Sequence, residues 1–197
     1  MNRKERFIFY SSPEHWLQAS LELNSSVELL FERKGEMKFH QQTGLNGDVA
    51  ITKSASSRAI YLLMAYSLEN LLKGIAVLRD PSLVNSGTLK KVIKTHKLNE
   101  LSSMLGFTLN EDQISFQDIL STHSVSNARY PVGTNENIEI ENLKIVKNDF
   151  SIYQTLYKKY RKSLVEEFHQ KGWDSGLENT ELNTKPKEFN FVDLDNS

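Results

Sequence analysis

Cysteine is absent from this chain of 197 residues. Without thiols the chain can form no disulfide, no thiolate nucleophile and no cysteine-based zinc site. Positive and negative charges almost balance, and the formal net charge is −1 at pH 7. The chain therefore has no overall positive field that would attract nucleic acid, although a local basic patch is compatible with this value. Proline and glycine are sparse, at 4 and 9 residues, which leaves room for long helices.

Motifs that bind cofactors or metals are missing too. The sequence contains no Walker loop, no GxGxxG and no HExxH. The histidines do not show metal-ligand spacing; they are His15, His40, His96, His123 and His169. We therefore predict neither a cofactor nor a metal. The only apolar run near the N-terminus spans residues 7–10, which is too short for a signal peptide, and we expect a cytoplasmic protein that is not in a membrane.

The stretch at residues 59–78 is the longest apolar, proline-free part of the chain. Its apolar residues recur at steps of three and four, which places them on one helical face; they are Ile60, Met64, Leu68, Leu71, Ile75 and Leu78. This face is widened by Leu62, Leu63, Tyr66 and Leu72. We therefore predict the central helix of a bundle. Polar residues such as Ser67, Glu69 and Lys73 interrupt the stretch and argue against a membrane span.

Other helix signals flank this stretch. Ser12-Pro13-Glu14 begins one helix, Asn110 with Gln113 begins another, and a last helix spans residues 148–170. We predict an all-α fold, an up-and-down bundle of four to five main helices. Glycines predict a long polar loop over residues 35–48. We expect the bundle to span residues 1–172 and a flexible polar tail to follow over 173–197.

Two charged residues on the central helix are candidates for a functional site. Glu69 and Lys73 lie four residues apart, with the acid first, as in a helix-surface ion pair that contributes about 0.3–0.5 kcal/mol. Because this helix should have little exposed surface, the alternative is a pair that lies at a groove or holds two helices together. The sequence leaves both interpretations open.

His96 and the segment Arg129-Tyr130-Pro131 are the other candidates. His96 follows a helix-capping Thr95, and it is either a first-turn polar residue or a general base or phosphate contact. Pro131 restricts Tyr130 to an extended conformation. Arg129 is then either the structural partner of an acid such as Glu69 or part of an anion site.

These residues follow a recurrent order. An A-x-x-x-E-x-x-x-K helix precedes an H-x-L helix start and an R-Y-P loop, and the matching residues are Ala65, Glu69, Lys73, His96, Leu98, Arg129, Tyr130 and Pro131. In this order and spacing the chain resembles the HEPN superfamily (higher eukaryotes and prokaryotes nucleotide-binding). The similarity covers residues 59–131, whereas the flanking helices match only by pattern. The family order predicts that Glu69, Lys73, His96 and Arg129 come together in space.

The resemblance implies a helical bundle that forms a homodimer. It also implies a link to toxin and phage-defence systems of bacteria, through RNA cleavage without a metal or through a partner protein encoded nearby. The nuclease members of the HEPN superfamily carry an Arg-x(4–6)-His motif. Here Arg161 and His169 have one intervening residue too many, and Arg33 and His40 have the right gap but lie outside the last helix.

Three functional hypotheses follow. The first is a HEPN-like module, non-catalytic or degenerate, that binds a partner protein or a nucleotide- or RNA-like ligand in a defence or stress system, with Glu69, Lys73, His96, Arg129 and Tyr130 as candidate ligand-binding residues. The second is a metal-independent endoribonuclease with a non-standard site that uses His96 and Arg129. The third is a purely structural dimerisation domain.

Overall fold

The computed structural model describes residues 1–36, 38–43, 49–54, 56–125 and 146–189. Within these residues the chain forms six α-helices and one β-hairpin. The helices are α1 (Arg3–Tyr10), α2 (Pro13–Glu32), α3 (Ser57–Arg79), α4 (Leu98–Met104), α5 (Glu111–Val125) and α6 (Lys147–Lys171). The hairpin strands are β1 (Lys38–Thr43) and β2 (Val49–Ser54), and single 3-10 turns occur at Pro81–Leu83, Lys91–Ile93 and Thr180–Leu182. The all-α class is confirmed for the bundle.

Helix α3 lies at the centre, with α2, α4, α5 and α6 packed against it. The six apolar residues predicted for one face of this helix are all buried, with exposed fractions between 0% and 7%. The same helix is long and apolar enough to cross a membrane, but 78% of its most apolar window lies inside the bundle. Its hydrophobicity is therefore used for the core of this domain.

Buried hydroxyl groups fix the contact of α2 and α6 with α3. Ser20 Oγ donates a hydrogen bond to the Ser67 carbonyl oxygen at 2.8 Å. The Tyr153 hydroxyl lies 3.1 Å from Ser67 Oγ and donates to Asn24 Oδ1 at 2.7 Å. Because these groups have little contact with water, any sliding of the three helices would leave them unpaired. The small side chains of Ser20 and Ser67 also let the two backbones approach closely.

A second buried network holds α4 against α5 and α6. Ser102 Oγ donates to the Leu98 carbonyl oxygen at 2.8 Å and lies 2.9 Å from Gln117 Oε1 and 3.0 Å from the Tyr160 hydroxyl. Burial raises the pKa of Tyr160, so its hydroxyl stays neutral and can take part in the network at ordinary pH. The network anchors α4, the helix that directly follows His96.

The prediction of a polar loop over residues 35–48 is wrong for the part that forms strands. β1 pairs antiparallel with β2, with Lys38 opposite Ser54 and Thr43 opposite Val49. β2 carries Val49, Ile51 and Thr52, which are β-branched and favour extended backbone. The glycines at positions 44 and 47 lie outside the described residues. The loop prediction relied on glycine and overlooked the two strands.

The prediction of a flexible tail from residue 173 onward is also wrong for residues 173–189, which we call the C-terminal segment. Trp173 is 4% exposed, and its Nε1 donates to the Val77 carbonyl oxygen of α3 at 3.1 Å. Trp173 and Thr184 exchange two backbone hydrogen bonds of 2.7 and 2.8 Å. Phe189 stacks on Phe168 of α6, with ring centroids 4.3 Å apart. A few apolar residues anchor a segment whose average composition is polar, and composition alone does not detect them.

Arg79 joins the end of α3 to α6 through Glu167 and gives a pH-dependent prediction. Arg79 Nε donates to Glu167 Oε2 at 2.9 Å, and Nη1 donates to the Leu105 carbonyl oxygen at 2.8 Å. Hydrogen bonds from Arg79, reinforced by Ser163 and by the charges of Arg79 and Lys171, lower the pKa of Glu167 to about 2 from 4.5, against the opposing effect of burial. The contribution of the Arg79–Glu167 pair to the stability of the fold is thus complete above about pH 4.5 and is lost as the pH falls towards 2.

We expect the Arg79→Met variant to be less stable than the wild type by about 1–2 kcal/mol near neutral pH, after allowance for solvent screening. The difference should shrink in acid, because protonated Glu167 no longer attracts Arg79. Urea denaturation of both proteins across the acid range measures this. A difference that stays constant with pH would mean that the Leu105 contact or packing, and not the ion pair, supplies the stability.

Candidate functional site

The candidate site is centred on an ion pair inside the bundle. Glu69 and Lys73 lie one turn apart on α3 and are each 6% exposed. Lys73 Nζ donates to Glu69 Oε1 at 2.6 Å. Of the two interpretations that the sequence left open, a solvated surface pair is excluded by this burial. Each of these two buried charges needs the other as a partner, because an isolated buried charge costs several kcal/mol. That cost is on the order of the free energy of unfolding of a whole domain.

The second oxygen of Glu69 reaches a different segment of the chain. His96 Nδ1 lies 2.9 Å from Glu69 Oε2. Since a carboxylate that also accepts from Lys73 can only accept here, Nδ1 carries the proton of this contact. His96 lies between the 3-10 turn Lys91–Ile93 and α4, and its side chain is 42% exposed. The imidazole is thus fixed at one nitrogen and reaches solvent.

Tyr66 also lies close to His96. It lies one turn before Glu69 on α3 and is half-buried, with its ring centroid 6.3 Å from that of His96. Sequence reasoning assigned Tyr66 to the apolar face of the helix. The signal that could have identified it is its spacing of three residues from Glu69, which places both side chains on the same side of a helix.

The structure brings three of the four predicted residues together. Glu69, Lys73 and His96 form one connected cluster, as the sequence predicted. Arg129 and Tyr130 lie outside the described residues, so their part of the prediction stays a prediction. Within the described residues no group of three His, Asp or Glu side chains is arranged to hold a metal ion.

Neither Arg–His pair suggested by the nuclease motif forms a site within one helix. Arg161 and His169 lie on α6 about 12 Å apart along the axis, by the helical rise per residue. His169 Nδ1 contacts the Phe189 carbonyl oxygen at 2.8 Å, so this ring holds the C-terminal segment. Arg33 is the C-cap of α2, whereas His40 is in β1. His96 is therefore the histidine with the clearest chemical arrangement in the described structure.

The arrangement can act in two ways. A carboxylate that holds Nδ1–H fixes the ring, so that Nε2 of a neutral His96 is a hydrogen-bond acceptor or a general base. A protonated His96 is instead a donor at Nε2, suited to a phosphate oxygen. Lys73 neutralises Glu69, so the cluster presents no net negative charge that would repel an anionic ligand.

Comparisons with known proteins add no assignment to this geometry. No family model, no curated protein and no solved structure matches the chain.

Proposed function

We propose that the chain is a HEPN-like helical module that binds a nucleotide- or RNA-like ligand through His96 and does not cleave RNA. The observation that carries this proposal is the contact of Glu69 with both Lys73 and His96. It fixes an imidazole at one nitrogen while 42% of the side chain remains exposed. The resemblance to HEPN proteins supplies the ligand class and the setting, a defence or stress system of bacteria.

The energetic cost of the buried Glu69–Lys73 pair and its contact with His96 support a binding role for His96. A buried Glu–Lys pair is at best weakly stabilising compared with apolar residues of the same size. The presence of this pair is explained if Glu69 serves to orient a third group, and His96 is that group. A phosphate of the ligand would accept a hydrogen bond from the outer ring nitrogen of His96. A single charge-assisted bond of this kind contributes about 1.5–3 kcal/mol.

The absence of cleavage is proposed from the positions of the other histidines. His169 is bonded to the backbone of the C-terminal segment, and Arg161 is two turns away from it along α6. A metal-independent ribonuclease needs one group to remove a proton from the attacking 2′-hydroxyl and another to stabilise the charge that develops. In the described part of the chain His96 has no arginine in contact with it to perform the second task.

Binding is tested with fluorescently labelled single-stranded RNA and with a labelled ATP analogue, by fluorescence anisotropy at low salt. We expect His96→Ala to weaken binding of the RNA or of the nucleotide by about tenfold or more. The matched control is Lys97→Ala, which removes an exposed neighbouring cation paired with Glu100. Equal losses for both variants would indicate general charge attraction, and no binding to either probe would contradict the proposal.

A metal-independent ribonuclease is the second candidate, and one observation favours it. The Glu69–His96 contact is the carboxylate–imidazole arrangement that prepares a general base. Incubation with total RNA in the presence of EDTA separates the two candidates. We expect intact RNA. Cleavage that His96→Ala abolishes and Lys97→Ala leaves unchanged would establish the ribonuclease in place of the binding module.

We also propose a homodimer, in keeping with the HEPN resemblance. The apolar surplus of α3 is covered by helices of the same chain, and none of the exposed large hydrophobic residues lies on α3 or α6. The exposed apolar residues on α4 and α5 are Met104, Ile114, Ile119 and Val125, and a two-fold contact would use one self-complementary patch. Light scattering should give twice the 22.6 kDa chain mass, and a constant monomer mass at high concentration would exclude the dimer.

A further inference from the structure

An open groove of about 460 Å³ lies where α1 meets the start of α2 and the segment around Leu89. It is lined by Arg6, Phe7, Tyr10, Ser11, Trp16 and Leu89. No residue of the His96 cluster takes part. Tyr10 is 61% exposed, and edge-to-face contacts hold its ring against Phe9 and His15, with centroids 5.2 and 5.3 Å apart. The groove is thus an aromatic surface with a fixed wall.

The polar groups at the floor of this groove are already bonded within the chain. Trp16 Nε1 donates to the Ser11 carbonyl oxygen at 3.1 Å, and Ser11 Oγ donates to the Phe7 carbonyl oxygen at 2.8 Å. At its floor the groove therefore offers apolar contact and no free hydrogen-bonding partner, whereas the Arg6 guanidinium and the Tyr10 hydroxyl are polar groups of its lining. A nucleobase would find no partner for its ring nitrogens and exocyclic groups at this floor. An aliphatic or aromatic side chain needs no such partner.

The rim of the groove is positively charged on both sides. Lys4 and Arg6 are exposed on α1, and Lys90 is exposed next to Leu89. Lys4 of α1 lies beside Gly87, which is close in sequence to Lys90, so the α1 side of the rim faces the Lys90 side. In the described part of the chain no carboxylate is within ion-pair distance of these three cations. Glu5, the acid of α1, is instead bonded to Asn2 and Asn179.

We propose that this groove binds an acidic peptide segment of a partner protein, through one large apolar side chain in the groove and carboxylates on the rim. The apolar contact surface with a satisfied floor selects the anchor side chain, and the cations, which have no carboxylate partner within the described residues, select its acidic neighbours. Lys90 Nζ donates to Ser82 Oγ at 3.0 Å, which is a neutral group and leaves the charge of Lys90 unbalanced. The site shares no lining residue with the His96 cluster, so it is a second binding surface of the module. Its existence does not depend on whether His96 binds a nucleotide.

The test selects peptides from a displayed random library on the full-length protein. Binding of the selected peptides is then compared with binding to the variants Arg6→Glu and Tyr10→Ala. Both residues are exposed, so neither change should disturb the fold. We expect the selected peptides to combine a large apolar residue with flanking Asp or Glu. A synthetic peptide of the selected sequence should lose about tenfold or more in affinity with each variant. Lys158→Glu is the matched control, because it makes the same charge change at an exposed site on α6.

Several results would overturn this proposal. One is a selection that enriches no peptide, or peptides without acidic residues. Another is a selected peptide whose affinity is the same for Arg6→Glu, Tyr10→Ala and Lys158→Glu. A third is labelled single-stranded RNA whose binding is lost with Arg6→Glu and Tyr10→Ala but is unchanged with His96→Ala, which would assign the groove to nucleic acid instead.

Discussion

Replacing Glu69 with leucine is expected to lower the free energy of unfolding by about 3–5 kcal/mol, which is typical when one partner of a buried ion pair is removed. Lys73 is 6% exposed, and its ammonium group would lose the oxygen that lies 2.6 Å away. The remaining choices are to bury an unpaired charge or to deprotonate the amine, and both cost free energy. Urea denaturation at neutral pH measures the loss.

The double variant Glu69→Leu/Lys73→Met separates charge from packing. It replaces both ions with apolar side chains, a change that is often neutral or stabilising by about 1–4 kcal/mol relative to the buried pair. We therefore expect the double variant to recover most of the stability lost by Glu69→Leu. Because His96 is half-exposed, the loss of its Glu69 contact should cost little stability, but it should weaken ligand binding. A double variant as unstable as the single one would show that the cavity shape, and not the charge, determines the loss.

Replacing Gly172 with alanine is expected to release the C-terminal segment and to cost about 4–6 kcal/mol, the sum of a left-handed backbone penalty and the loss of buried aromatic packing. Gly172 has a φ of 65°, and a β-carbon there would lie 2.2 Å from the Thr184 carbonyl oxygen and 2.7 Å from the Lys185 carbonyl carbon. These are backbone atoms that cannot rotate away. The paired strand segments at Trp173 and Thr184 must therefore separate.

Gly106→Ala is the control for this prediction. Gly106 has a φ of 77°, which also strains alanine, but no atom lies within 4 Å of the added β-carbon. We expect this variant to lose only about 1–2 kcal/mol. In Gly172→Ala the fluorescence of Trp173 should shift to the red as the indole reaches water, and a protease should cleave within residues 173–189. Equal stability losses for the two variants, with unchanged fluorescence, would contradict the steric argument.

The sequence by itself determined the helical class, the central position of α3 and the pairing of Glu69 with Lys73. These follow from periodicity and spacing, which are local properties: apolar residues at steps of three and four define a buried face, and residues four apart on a helix are neighbours. The capping pair Asn110 and Gln113 was confirmed for the same reason, since each backbone nitrogen is bonded to the other's side chain, at 3.3 and 2.9 Å. The meeting of His96 with the Glu69–Lys73 pair was predicted from the resemblance to HEPN proteins, because no local pattern connects segments that are 27 residues apart.

Only the tertiary structure decided the rest. The C-terminal segment packs because a site for Trp173 exists beside Val77 of α3, and no property of residues 173–189 alone reveals that site. The strands β1 and β2 stabilise each other by pairing, which neither shows alone. The aromatic groove likewise joins residues from α1, α2 and the segment around Leu89, which the sequence separates by more than 70 positions. Contacts between distant segments depend on the shape of the folded bundle, and local patterns do not contain that shape.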